Sequence, residues 1–156
     1  MIMQTLDTPY EIGFHLVVLL DRWYPSFLTK GKLWLLESLL VYDVTPDAMK
    51  KASDAFLMST ILNRRELIDS ALRLLIRKGI VIPKPTESGI LYRLGGNATA
   101  VLSSFDRNYI ERFKTTIEHI HDEFNSCSVH DLFQTLTQRV FSARASLRIP
   151  LFQQED

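Results

Sequence analysis

The chain has a single cysteine, Cys127, no surplus of charge of either sign, no glycine-rich phosphate loop, no internal repeat and no long apolar run. Each absence removes a class of protein. A lone thiol cannot build a disulfide framework or a thiol-rich zinc fold, and it fits a reducing compartment, with the cytoplasm as the expected location. Eighteen Lys plus Arg balance eighteen Asp plus Glu, so no global field draws the chain to nucleic acid or an anionic membrane, and any such contact must come from a local patch. The longest apolar run, Ile12 to Leu20, contains Gly13 and His15 and follows Asp7 and Glu11. It is too short to span a bilayer and carries acid where a secretion signal would carry base. What remains is a chain of 156 residues, enough for one domain with an appended element and a self-sufficient core.

The pattern that is present is helical. Thr8-Pro9-Tyr10-Glu11 opens a helix with a capping hydroxyl, a proline that has no donor to lose, and a capping-box glutamate. The spacing predicts a helix from about Pro9 to Arg22 and a second from about Lys30 to Tyr42, both apolar around most of their circumference. They read either as a central helical pair within this domain or as surface that partly meets another chain. Asp43 to Leu62 reads as an ordered connection with a short helix signal. Asn63 is then expected to cap a third helix that stops at Gly79. Ile80-Val81-Ile82-Pro83 and Ile90 to Leu94, joined by Lys84 to Gly89, predict a β-hairpin. A short helix to about Ser104 follows, then a longer one from Ser104 or Asp106 to about Phe124. Ser128-Val129-His130-Asp131 is a further capping box, with Val129, Leu132, Phe133, Leu136 and Val140 expected inward. The expected fold is therefore mainly α: a winged-helix-like domain with a small β-hairpin over residues 1–125, and a helical C-terminal extension and tail over 126–156.

No set of residues assembles into an active site. His119, His121, Cys127 and His130 lie close in sequence, but residues two apart on a helix diverge by about 200°, so the pair His119 and His121 cannot share one ion. Cys127 with His130 lacks an oxyanion donor set, leaving a small hydrolase only as a residual reading. No metal, no cofactor and no enzymatic activity are expected. A helix followed by a hairpin is the order of a DNA-binding winged helix. The third helix does carry Arg64, Arg65, Arg73, Arg77 and Lys78. Glu66 and Asp69 sit among them, however, and Asp69 is four residues before Arg73, the spacing of a helical ion pair. Nucleic-acid contact, if it occurs on this helix, falls to Arg64, Arg65, Arg77 and Lys78. Ile110, Phe113, Ile117, Ile120 and Phe124 alternate spacings of three and four. That coiled-coil-like seam, with Leu147, Ile149, Leu151 and Phe152 of the tail, is the expected partner-binding surface.

Taken together, Pro9-Tyr10-Glu11-Ile12-Gly13-Phe14-His15-Leu16, Leu39-Leu40-Val41-Tyr42-Asp43, Asn63-Arg64-Arg65-Glu66-Leu67-Ile68 with Leu72-Arg73-Leu74-Leu75 and Gly79-Ile80-Val81, and Gly89-Ile90-Leu91-Tyr92-Arg93-Leu94 resemble the middle component of ABC-three-component systems, the Lamassu-type anti-phage operons. The likeness covers Thr8 to Phe124. It implies a non-enzymatic adaptor that binds a coiled-coil, chromosome-maintenance-type ABC ATPase and helps hold an effector, often a nuclease, inactive, with DNA met through the assembled complex. It supplies no catalytic residues. The rival reading from the residues is a dimeric winged-helix transcription regulator that binds its operator through the third helix.

Overall fold

The computed structural model describes residues 8–44 and 54–139. Helix α1, Pro9–Trp23, starts where the sequence places it: Thr8 Oγ1 accepts the amide of Glu11 at 3.2 Å. Nine consecutive residues, Ile12 to Leu20, are buried, so α1 is enclosed on all sides. A two-residue strand β1, Leu28–Thr29, leads into α2, Lys30–Val44, whose first turn is capped by Thr29 Oγ1 accepting from Lys32 N. Leu33 to Val41 of α2 are likewise buried. The apolar helices are the central pair of this domain, covered by its own elements.

Helix α3 runs unbroken from Asp54 to Arg77, so Asn63 lies inside it and is not its cap. The reason is packing: Ile61 is buried, and Trp34 Nε1 of α2 donates to the Ile61 carbonyl at 2.6 Å, which draws this turn into the core. Its far end follows the sequence reading. Gly79 has φ +72°, its amide donates to the Ile76 carbonyl, and Ile80 N donates to the Leu75 carbonyl. That paired return is a Schellman stop, which calls for a residue free to adopt left-handed backbone.

Strands β2, Val81–Thr86, and β3, Gly89–Leu94, pair antiparallel in a three-stranded sheet of order β1-β3-β2. The hairpin is longer than expected because Lys84-Pro85-Thr86 joins β2 and leaves Glu87-Ser88 as the turn. β2 is an edge strand, where Pro83 and Pro85 are tolerated. The order helix, short strand, two helices, hairpin, with β1 paired to β3, is compatible with a winged-helix-like, mainly α fold.

Helix α4, Ala98–Ser104, is followed by α5, Arg107–Phe124, capped by Asp106 Oδ1 accepting from Asn108 N at 2.8 Å. A sixth helix, α6, spans 129–139, with Ser128 Oγ accepting from Asp131 N. Leu132 and Leu136 of α6 join the same core as α1 to α5, whereas Val129, expected inward, is exposed beside Gly31. Val140 lies outside the described residues.

Candidate functional site

The seam on α5 is used inside the molecule. Phe113, Ile117, Ile120 and Phe124 are all buried, Phe113 against Phe14 and His15 of α1 with ring centres 5.6 and 5.0 Å apart. Their assignment as partner-binding residues is corrected accordingly: a stripe already packed on α1 and α2 offers no surface to another chain. Ile110 remains half-buried on the wall of a shallow cleft with Val18, Lys114 and Glu118. Leu147, Ile149, Leu151 and Phe152 lie outside the described residues.

Arg64 is corrected as a nucleic-acid contact. Only 2% exposed, it points inward from α3 to Glu37 of α2. Its Nε donates to Glu37 Oε2 at 2.6 Å, and its Nη2 donates to Oε1, a bidentate fork between two helices. His15 of α1 adds a third member, with Nδ1 3.1 Å from Glu37 Oε1. An ionised carboxylate only accepts, so Nδ1 carries the proton. All three groups are buried. Burial by itself would raise the Glu37 carboxyl. The Arg64 hydrogen bonds and charge, then those of His15, outweigh it and hold the group below its ordinary value of 4.5.

The remaining cations of α3 are outside. Arg65 is exposed with its guanidinium 5.5 Å from the Trp34 ring centre, and Arg77 and Lys78 are exposed. Asp69 pairs with Arg73 at 3.0 Å, as the spacing predicts, and also with Lys30 at 3.1 Å. His119 and His130 are exposed, His121 packs on Trp23 with ring centres 4.7 Å apart, and Cys127 Sγ lies 3.9 Å from the Glu123 carbonyl. Among the described residues no three His, Cys, Asp or Glu side chains form a group that could hold a metal ion.

A further concave surface among the described residues lies elsewhere, at a place the sequence does not single out. A cleft of about 230 Å³ opens between the first turns of α1, the end of α3 and α4, with Tyr10, Gly13, Phe14, Leu75, Val101 and Phe105 among its walls and Lys78 on its rim. A second depression of about 290 Å³ shares Tyr10, Phe14 and Phe105 and continues to Glu11 and Tyr109. The two form one apolar groove around an aromatic wall: Phe14 meets Phe105 at 4.6 Å and Tyr109 at 4.7 Å between ring centres. The wall is fixed by the Tyr109 hydroxyl, which donates to Glu11 Oε2. Burial, then the bond to Glu11 and its negative charge, push the phenol well above its ordinary value of 10.0, so it stays protonated and donating. Tyr10, by contrast, is 73% exposed. An exposed aromatic at the lip of a mostly apolar groove is chemistry for gripping an apolar side chain.

The family model for ABC-three component (ABC-3C) system Middle Component 2 matches residues 5–145. The chain belongs to this family. No curated protein and no solved structure matches it. As a Middle Component 2 it takes an accessory place in a three-component system, and the match extends beyond Phe124 to include α6, which the residue likeness alone had left out. A middle component needs surface for its neighbours, and the apolar groove is, among the described residues, one concave surface that is not filled from within.

Proposed function

We propose that this middle component is a non-catalytic adaptor of a Lamassu-type anti-phage defence complex in the cytoplasm, which binds the coiled-coil ABC ATPase of the system and helps hold an effector, often a nuclease, in check. The observation that carries the reading is the groove around Tyr10, Phe14 and Phe105 in a chain matched as a middle component. Its occupant is a helical segment of the ATPase, presenting an apolar side chain to the aromatic wall and a carboxylate to Lys78. The tail residues Leu147, Ile149, Leu151 and Phe152 are a second attachment. In keeping with a soluble adaptor, no helix among the described residues is long and apolar enough to cross a membrane.

The operator-binding regulator draws less support. It relies on α3, where Arg64 is turned inward to Glu37 and Asp69 holds both Lys30 and Arg73. Co-purification with the ATPase tests the adaptor reading. Tyr10→Asp sits on an exposed side chain and should leave the circular dichroism spectrum unchanged. It should reduce ATPase recovery by about thirtyfold in affinity, the effect of losing one anchoring aromatic of about 2 kcal/mol. Full recovery with Tyr10→Asp and with a second groove variant, Val101→Asp, would remove the groove from the interface.

A further inference from the structure

The outward face of the wing sheet carries positive charge that the molecule does not neutralise. Register sets Ile82 opposite Arg93, and Lys84 opposite Leu91 with Thr29 beside it. Side chains alternate along a strand, so these five share one face while Val81, Pro83, Tyr92 and Leu94 share the other. The turn between α1 and β1 brings two aromatic rings to the outward face. The Arg93 guanidinium lies 4.7 Å from the centre of Phe27 and 5.9 Å from that of Tyr24, and Lys84 Nζ lies 4.9 Å from the centre of Phe27. Tyr24 is 57% exposed, and Lys84 is exposed. Among the described residues neither cation is in ion-pair reach of a carboxylate, and Arg93 Nε is buried without a hydrogen-bond partner. The acid of the wing, Glu87, sits at the tip of the turn.

Cations in this state differ from Lys30 of α2 and Arg73 of α3. Lys30 and Arg73 share Asp69, and a phosphate would have to displace that carboxylate. Arg93 and Lys84 are held by ring faces, which attract the charge without cancelling it. A half-buried guanidinium clasped between two rings is already oriented, so little side-chain freedom is lost when an anion arrives. Beside it, Tyr24, more than half exposed, is a ring of the kind on which an unpaired base stacks. Free cations next to stacking rings are the two parts of a single-strand-binding surface, one tracking phosphates and the other tolerant of any base. An acidic peptide would use the charges but not the ring.

We propose that the outward wing face, Tyr24, Phe27, Lys84 and Arg93, docks single-stranded nucleic acid, with Lys84 and Arg93 against phosphates and Tyr24 under a base. The test uses the full chain alone, so it succeeds or fails independently of the ATPase groove. Fluorescence anisotropy with a labelled oligothymidylate of about 20 nucleotides should show binding that weakens about sevenfold between about 50 and 200 mM salt, the loss expected for two phosphate contacts on a single strand. Lys84→Gln with Arg93→Gln should abolish most of that salt dependence and weaken binding about tenfold, and Tyr24→Ala should cost about fivefold or more. Arg73→Gln should bind as the parent does, and a duplex of the same length more weakly than the single strand. Because Arg93→Gln could disturb the Phe27 turn, Lys84→Gln alone, on an exposed side chain, must also lose about threefold. No salt-dependent binding up to about 100 µM, or equal binding by parent and Lys84→Gln, would overturn the proposal. Loss of co-purification with the other components by the wing variants, at unchanged oligonucleotide binding, would also overturn it and assign the face to a protein partner.

Discussion

Glu37 stands 27 residues before Arg64 and 22 after His15, and the three meet because three helices converge there. A carboxylate buried this fully is tolerated only while its partners remain. Arg64→Met should therefore lower unfolding stability by about 3 to 5 kcal/mol in urea titration, although the new side chain is apolar and of similar length. Replacing His15, Glu37 and Arg64 together by apolar residues should recover most of that loss. The pH dependence carries a second signature. The folded Glu37 carboxyl is held below 4.5, so on acidification the unfolded chain takes up this proton first. The stabilisation is complete above about pH 5 and disappears as the pH falls below the ordinary carboxyl range. Urea midpoints of the parent should fall more steeply below pH 5 than those of Arg64→Met. None of this network is legible in the sequence. An arginine in Asn63-Arg64-Arg65-Glu66 looks like solvated helix surface, and only the depth of Ile61 and Ile68 on the same helix places Arg64 on the inner face.

At the scale of elements, α5 offers the sharpest check, because its stripe was expected to face a partner and instead faces α1. Phe113→Ala should lower stability by about 3 to 5 kcal/mol, the usual range for removing a buried ring, as measured by thermal or urea unfolding. A surface role would leave stability nearly unchanged. The strictness of the stripe, Phe113, Ile117, Ile120 and Phe124, was legible, since period alone identifies an apolar face. What period cannot say is whose helix covers it. The caps were legible too: Thr8 and Ser128 each accept the amide that the sequence assigns, and of Ser104 and Asp106, the two starts the sequence offers for α5, Asp106 is the cap, because a cap is decided within a few residues. The start of α3 was not, since a buried carbonyl at Ile61 and an indole from α2 decide it across 27 residues. The groove was hidden for the same reason: Tyr10, Leu75 and Phe105 are far apart in sequence and meet only when α1, α3 and α4 are assembled.

For the whole molecule, the groove and the wing face lie on different elements, one built from α1, α3 and α4 and the other from the sheet and the α1 to β1 turn. The two proposed occupants, an ATPase segment and a nucleic-acid strand, would therefore not compete for the same residues. The tail supplies an independent test of assembly. A chain ending at Val140 should keep its helical circular dichroism, since Leu132 and Leu136 close the core, while recovering less ATPase on co-purification. Undiminished recovery would show that Leu147, Ile149, Leu151 and Phe152 take no part in docking.

The sheet has one further property at this scale. Of its two borders, β1 is two residues long and ends directly in α2, and β2 presents Pro83, Lys84 and Pro85 along its outer side. A strand from another molecule would find too short a ladder at the first, and missing donors beside a charge at the second. Growth by strand addition is blocked at both ends. A copy of this protein made before its neighbours, or in excess of them, therefore has no open strand ladder in this sheet by which to zip onto others of its kind.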